Sequence, residues 1–248
     1  MKKWLRYIAL LPLLLLIGPL SMAAGGEDIN LKADWRTASR DSAGIAPRAA
    51  DTPEAVAQIY AARAFGWRGA VAIHTWIAVK PASAASYTTY EVIGWYAMRG
   101  GSALYVRDGA PDRRWFGSTP KILVDLRGDK AERAIAGVKA AVASYPYKNE
   151  YRTWPGPNSN TFTAHVARNV PEFSVDLPPT AIGKDYIAGG APFARAPSAT
   201  GFQLSFFGLA GVIVAAEEGL EFNLLGLNFG IDPGDLALRL PGIGKIGF

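Results

Sequence analysis

The chain has no cysteine, and only two histidines and three methionines among its 248 residues. Without cysteine there can be no disulfide, no thiolate metal site and no thiol nucleophile. With two histidines, a zinc site would need a carboxylate-rich ligand set, and neither that nor an H-E-x-x-H sequence occurs. There is no Walker A sequence. Gly242-Ile-Gly-Lys-Ile-Gly247 has dinucleotide-motif spacing, but no helix start follows it to hold a pyrophosphate. No metal and no cofactor are therefore expected. Charge of one sign is also scarce. The 26 basic and 21 acidic residues give +5, and Lys2, Lys3 and Arg6 account for three of those charges, so the chain beyond residue 24 carries only +2. Such a balance lacks the dense basic stripe that nucleic acid requires, and no nucleic-acid partner is expected.

What is present begins with an export-like N-terminus. A basic segment (Lys2, Lys3, Arg6) precedes an apolar run from Tyr7 to Leu20, and Ser21-Met22-Ala23 offers small residues for cleavage. The run is short of the roughly 20 residues a membrane-spanning helix needs. Residues 1–24 read as a signal peptide, predicting a periplasmic or secreted protein. The alternative is a chain anchored in the inner membrane by an uncleaved N-terminal segment. Residues 25–50 are small and polar and read as a flexible leader.

Residues 51–186 read as the main domain. Thr52-Pro53-Glu54 has the form of an N-cap, a first-turn proline and an acidic first turn, which predicts a helix over 55–65. Val71–Val79 and Tyr87–Trp95 are rich in β-branched and aromatic residues and predict strands, with shorter ones at Ser102–Val106 and Lys121–Leu126. Asp108 to Asp112 reads as a turn. Asp129-Lys-Ala-Glu132 opens a second helix that Ile135, Val138, Val142 and Tyr145 continue up to Pro146. This order predicts an α+β fold. In residues 187–248, Phe202–Ala216 and Leu220–Ile231 flank Glu217-Glu218-Gly219 and predict an apolar β-hairpin extension packed on the main domain, with peripheral membrane contact as a further possible role.

The densest information lies in Tyr151-Arg-Thr-Trp-Pro-Gly-Pro-Asn-Ser-Asn-Thr-Phe-Thr163. Pro155 and Pro157 delay any helix until after them. Asn158 or Ser159 is then the N-cap, and Phe162, Val166 and Val170 share one face. A hydroxyl at such a position sits beside free backbone N–H groups, which suits a developing oxyanion, although Ser and Asn are also the ordinary capping residues. His74 lies on an apolar strand, where a lone histidine is more often a core residue than a catalyst. His165, six residues after Ser159, is carried away from that hydroxyl by the helical repeat. Arg107, Arg113 and Arg114 beside Trp115 form a small basic-aromatic group, ordinarily a solvated surface.

Asn158-Ser159-Asn160-Thr161-Phe162 resembles the Asn-Cys-x-His-Phe helix start of circularly permuted papain-like proteins, of the lecithin retinol acyltransferase and NlpC types. In these the catalytic histidine comes early, on a strand, and the nucleophile late, at a helix start. At closer range, Trp154–Phe162 with Leu177–Tyr186 resembles an uncharacterised bacterial family, DUF3750. The papain-like resemblance implies Ser159 in place of the thiol as nucleophile, His74 as base and Glu91 as the orienting residue, with Thr89 and Tyr90 as alternatives to Glu91. Asn158, Asn160 and Trp154 would position the oxyanion or the substrate. Serine depends wholly on an adjacent base. The reading is therefore a cell-envelope hydrolase or acyltransferase acting on an amide or ester in a peptide, peptidoglycan or lipid-like substrate. Its alternative is a catalytically inactive envelope protein that binds a lipid, peptide or protein partner.

Overall fold

The structure, a computed structural model, describes residues 2–26, 29 and 31–247. Of residues 2–12 the backbone alone is described, so the side-chain charges of Lys2, Lys3 and Arg6 lie outside the description. The chain is α+β and is built around two antiparallel sheets. After helix α1 (Lys2–Gly25) come β1 (Val56–Arg63), β2 (Ile73–Lys80), β3 (Tyr87–Val92), a short helix α2 (Gly94–Met98), β4 (Leu104–Gly109) and β5 (Lys121–Arg127). Helices α3 (Gly128–Ser144) and α4 (Ser159–Asn169) follow. The first sheet has the order β4-β3-β2-β1-β5.

The predicted helix over 55–65 is instead β1, the strand between β2 and β5. Both faces of β1 are buried: Ala57, Ile59 and Ala61 face α3 and α4, while Val56, Tyr60 and Ala62 pack with Trp76 and Tyr87. Apolar residues at nearly every position erase the alternation by which a strand is read, and two ladders of backbone hydrogen bonds override the local helix-start signal. The strand expected to reach Trp95 ends at Val92, and β4 extends through Gly109 into the expected turn.

Within the leader, the segment from Ser42 to Ala46 is tied to the main domain. Ser42 pairs with Arg113 in a β-bridge, and the Asp112 carboxylate accepts from Ser42 Oγ (2.7 Å), Ile45 N (2.7 Å) and Ala46 N (3.1 Å). Those donors hold the Asp112 carboxyl below its ordinary range even though burial alone would raise it.

The C-terminal unit is larger than one hairpin. Strands β6 (Phe193–Arg195), β7 (Gly201–Phe206), β8 (Ala210–Ala215), β9 (Gly219–Leu224), β10 (Leu227–Asp232), β11 (Ala237–Leu240) and β12 (Gly244–Gly247) form a seven-stranded meander in chain order. Each expected hairpin arm itself folds back, at Phe207–Leu209 and at Leu225-Gly226. The face of this sheet turned to the main domain is polar. Gln203, Glu221, Asn228 and Arg239 are all buried there. Glu221 accepts from Lys184 Nζ and from Arg239 Nε (2.6 Å), and Arg239 also pairs with Asp176 (2.7 Å). Asp185 accepts from Gln203 Nε2 (2.6 Å) and Asn228 Nδ2 (3.0 Å). Burial opposes the charge on Arg239, but Glu221 and Asp176 outweigh it and raise the guanidinium further above its ordinary range.

Candidate functional site

The β2–β3 ladder spans only Ile77–Val79 against Thr88–Tyr90, so the two strands fork beyond it toward Ile73 and Val92. The start of α4 closes this fork. Asn158 is the N-cap, its Oδ1 accepting from Asn160 N (2.9 Å) and Thr161 N (3.1 Å), while Thr161 Oγ1 accepts from Asn158 N (3.1 Å). The Asn158 side chain also donates to Thr153 O (3.1 Å) and Ile182 O (3.0 Å). At Gly183 (φ +104°) an added Cβ would lie 2.3 Å from that amide, so only glycine lets the chain pass. Asn158→Ala removes a buried cap to two backbone N–H groups and the donor to Thr153 O, while Ile182 O keeps Asn160. It is expected to lower stability by about 2 kcal/mol in urea unfolding; a loss under a few tenths would refute the structural role given to this side chain.

Asn160 anchors the helix to the unpaired edge of β2. Its Nδ2 donates to Ile73 O (3.0 Å) and Ile182 O (2.8 Å), and its Oδ1 accepts from Thr75 Oγ1 (2.9 Å). Its backbone N–H is taken by Asn158, so Asn160 holds the helix start in place. Among the described residues the N–H of Ser159 is the one left without a partner at this end. Ser159 is itself buried.

His74 lies one residue from Thr75, on the side of β2 that carries Trp76. Its Nε2 meets Glu91 Oε2 at 3.3 Å, and Glu91 Oε1 faces Arg107 Nε at 3.4 Å. Of the three orienting candidates, Glu91 is the one that reaches the ring. Burial lowers the His74 pKa below its ordinary value, against the opposing pull of Glu91, so the imidazole is neutral near pH 7. Its ring stacks on Trp115 at 3.5 Å between centroids, and Trp115 in turn stacks on Trp95 at 5.7 Å. Among the described residues, Nδ1 of His74 and the hydroxyl of Ser159 have no hydrogen-bond partner, and the two groups are not bonded to each other. The fold therefore brings His74 and Glu91 together, while Ser159 meets β2 at Thr75, the neighbour of His74 whose side chain lies on the opposite face of the strand.

Trp154 stands apart from this pair, its Nε1–H donating to Leu225 O (3.0 Å) of the second sheet. The peptide bonds before Pro155 and Pro157 are cis. His165 contacts Ser144 Oγ and Ala141 O on α3, a packing position.

Sequence reasoning left unassembled the cleft beside Glu91. It has a volume of about 140 Å³ and gathers Arg40, Arg107, Arg113 and Arg114 with Trp95, Tyr96, Tyr105, Trp115 and Phe116. The Arg-Arg-Trp run was its visible trace. Arg40, which lies over Phe116 at 4.2 Å, comes from the leader and could not have been joined to it by spacing. Among the described residues no group of three or more potential ligands could hold a metal ion.

The site thus combines a buried His–Glu pair, a capped helix start bearing a serine, and an arginine-aromatic cleft on an α+β scaffold. The family model of DUF3750, a protein family of unknown function, matches residues 54–186, more than half of the chain, and the chain belongs to that family. No curated protein and no solved structure matches it.

Proposed function

We propose that the protein is a serine-dependent acyl-transfer enzyme of the cell envelope, a hydrolase or acyltransferase acting on an amide or ester, with a permuted papain-like arrangement of its site. The observation that carries this reading is the buried His74–Glu91 pair at the fork closed by the start of α4. Glu91 engages Nε2, which leaves Nδ1 as the nitrogen free to take a proton. Ser159 is the nucleophile, and the N–H of Ser159 is the donor available to an oxyanion. A hydrogen bond from Ser159 to the ring is absent from the free protein, and the reading requires that it form in the substrate complex. The test is covalent labelling of the full chain by a fluorophosphonate. Modification is expected at Ser159 and is lost in Ser159→Ala; labelling at another residue, or none of a folded protein, removes the reading.

A second reading is favoured by the arginine-aromatic cleft: a non-catalytic envelope protein that binds an anionic ligand there. Unlabelled but folded protein would shift the assignment to it.

For location, export supported by the N-terminal pattern is proposed with α1 retained. The helix sits tightly on the β11–β12 turn: a Cβ on Gly18 would fall 2.1 Å from Pro241 O, and one on Gly242 would fall 2.6 Å from Pro19 N. Mass spectrometry of the membrane fraction should show the intact N-terminus. A chain starting near Ala24 or Gly25 would mean that the segment is a cleaved signal.

A further inference from the structure

We infer that the outer face of the β6–β12 sheet, together with the exposed stripe of α1, rests against a lipid bilayer surface. An amphipathic sheet normally turns its apolar side to the core. This one is inverted. One row across the strands reads Phe202, Val214, Leu220, Ile231, Leu238 and Ile246, and the next reads Phe193, Leu204, Val212, Phe222 and Phe229. All of these are exposed or half-exposed, while the intervening positions Gln203, Glu221 and Arg239 are buried against the main domain. Along both rows Arg195, at the β6 corner, is the one side chain able to form a hydrogen bond.

The turns of the sheet follow the same pattern. Phe207, Leu225 and Leu236 have φ of 50°, 55° and 47°, positions that Asn or Gly normally occupy in tight turns, and all three point into solvent. Bulky apolar side chains held in that conformation and left more than half exposed gain little from the folded protein to offset the strain, and strain of this kind points to function. Inserted among acyl chains, these tips gain what the folded protein alone does not provide.

Two observations choose lipid over a second copy of the chain. The sheet face is roughly 30 Å across and 17 Å along the strands, so roughly 500 Å² in projection. A standard interface makes about one hydrogen bond per 100–200 Å², and this face offers almost no hydrogen-bonding side chain to a protein partner. The second observation is α1. Leu13, Leu14, Ile17 and Leu20 are each about 60% exposed, and the helix is fixed beside β12 through the Gly18–Pro241 and Pro19–Gly242 contacts. A second copy seated on the sheet alone would leave that stripe in water, whereas a bilayer surface is an apolar cover extended enough to take up both. The inference does not depend on chemistry at Ser159.

The test is flotation of the full chain with phosphatidylcholine vesicles and with mixed phosphatidylcholine–phosphatidylglycerol vesicles, at low and high salt. Binding is expected to both, within about twofold, and to survive high salt, because the face is apolar and carries one charge. Phe206→Asp and Phe222→Asp should each weaken binding at least tenfold while leaving the circular dichroism spectrum unchanged, since each replaces an exposed aromatic of the sheet's outer side with a charge. Three results would overturn the inference: no flotation of folded protein, flotation confined to anionic vesicles and lost in salt, or unaltered flotation of both variants. A lipid-free dimer dispersed by Phe222→Asp would overturn it as well, in favour of a second copy.

Discussion

Glu221→Ala is expected to destabilise the protein by roughly 3–5 kcal/mol, because it leaves a buried ammonium without its counter-ion. In the native chain the Glu221 carboxylate bridges Lys184 and Arg239, and all three side chains are almost wholly excluded from solvent. Arg239 retains Asp176 and Leu177 O when Glu221 is removed, so the unpaired charge falls on Lys184. Domains of this size are stable by about 5–15 kcal/mol, so such a loss takes roughly a fifth or more of the total and reduces the join between the two sheets. Urea unfolding of the wild type and variant measures it. A difference below about 1 kcal/mol would show that water reaches the cluster and that the polar layer is not sealed.

The second large effect is kinetic. His74→Ala should slow fluorophosphonate labelling of Ser159 by at least 10², the lower end of what a positioned general base supplies. The pH dependence follows from the direction of the shift. Burial disfavours the protonated ring, so His74 is a neutral base throughout the neutral range. Labelling should stay level down to the ordinary histidine value of 6.5 and decline only in more acid solution. The same shift makes stability fall as pH drops from 6.5 through the folded-state value, because the unfolded chain binds the proton first. Glu91→Gln should slow labelling by releasing the ring's orientation and move the midpoint further toward acid, since Glu91 is the group that raises the His74 pKa. A merely structural Glu91 would change stability and leave the midpoint where it was. Labelling that tracks pH with a midpoint above 6.5 would remove His74 from the reaction.

Several elements were legible in the sequence because their signals are local. The start of α4 follows from two prolines and a capping asparagine, α3 from its repeating Ile135, Val138 and Val142, and β2 and β5 from β-branched composition. Glu91 was nameable beside His74 because both lie on neighbouring strands of one hairpin. β1 was misread as helix since a strand buried on both faces loses its period, and its neighbour β5 arrives about sixty residues later in the chain.

What the sequence by itself determined is therefore the α+β class, the absence of thiol chemistry, and a serine at a capped helix start. What only the tertiary structure decided is which residues meet. Trp115 stacks on the ring of His74 and Arg40 joins a cleft with Arg107, contacts between segments separated by tens of residues that no spacing rule connects. The orientation of the C-terminal sheet was decided in the same way. Alternation alone divides its residues into an apolar set and a polar set, without saying which set faces inward. The direction is set by Lys184, Asp185 and Asp176 of the main domain, whose charges can be buried only against the polar face, and that choice turns the apolar face outward.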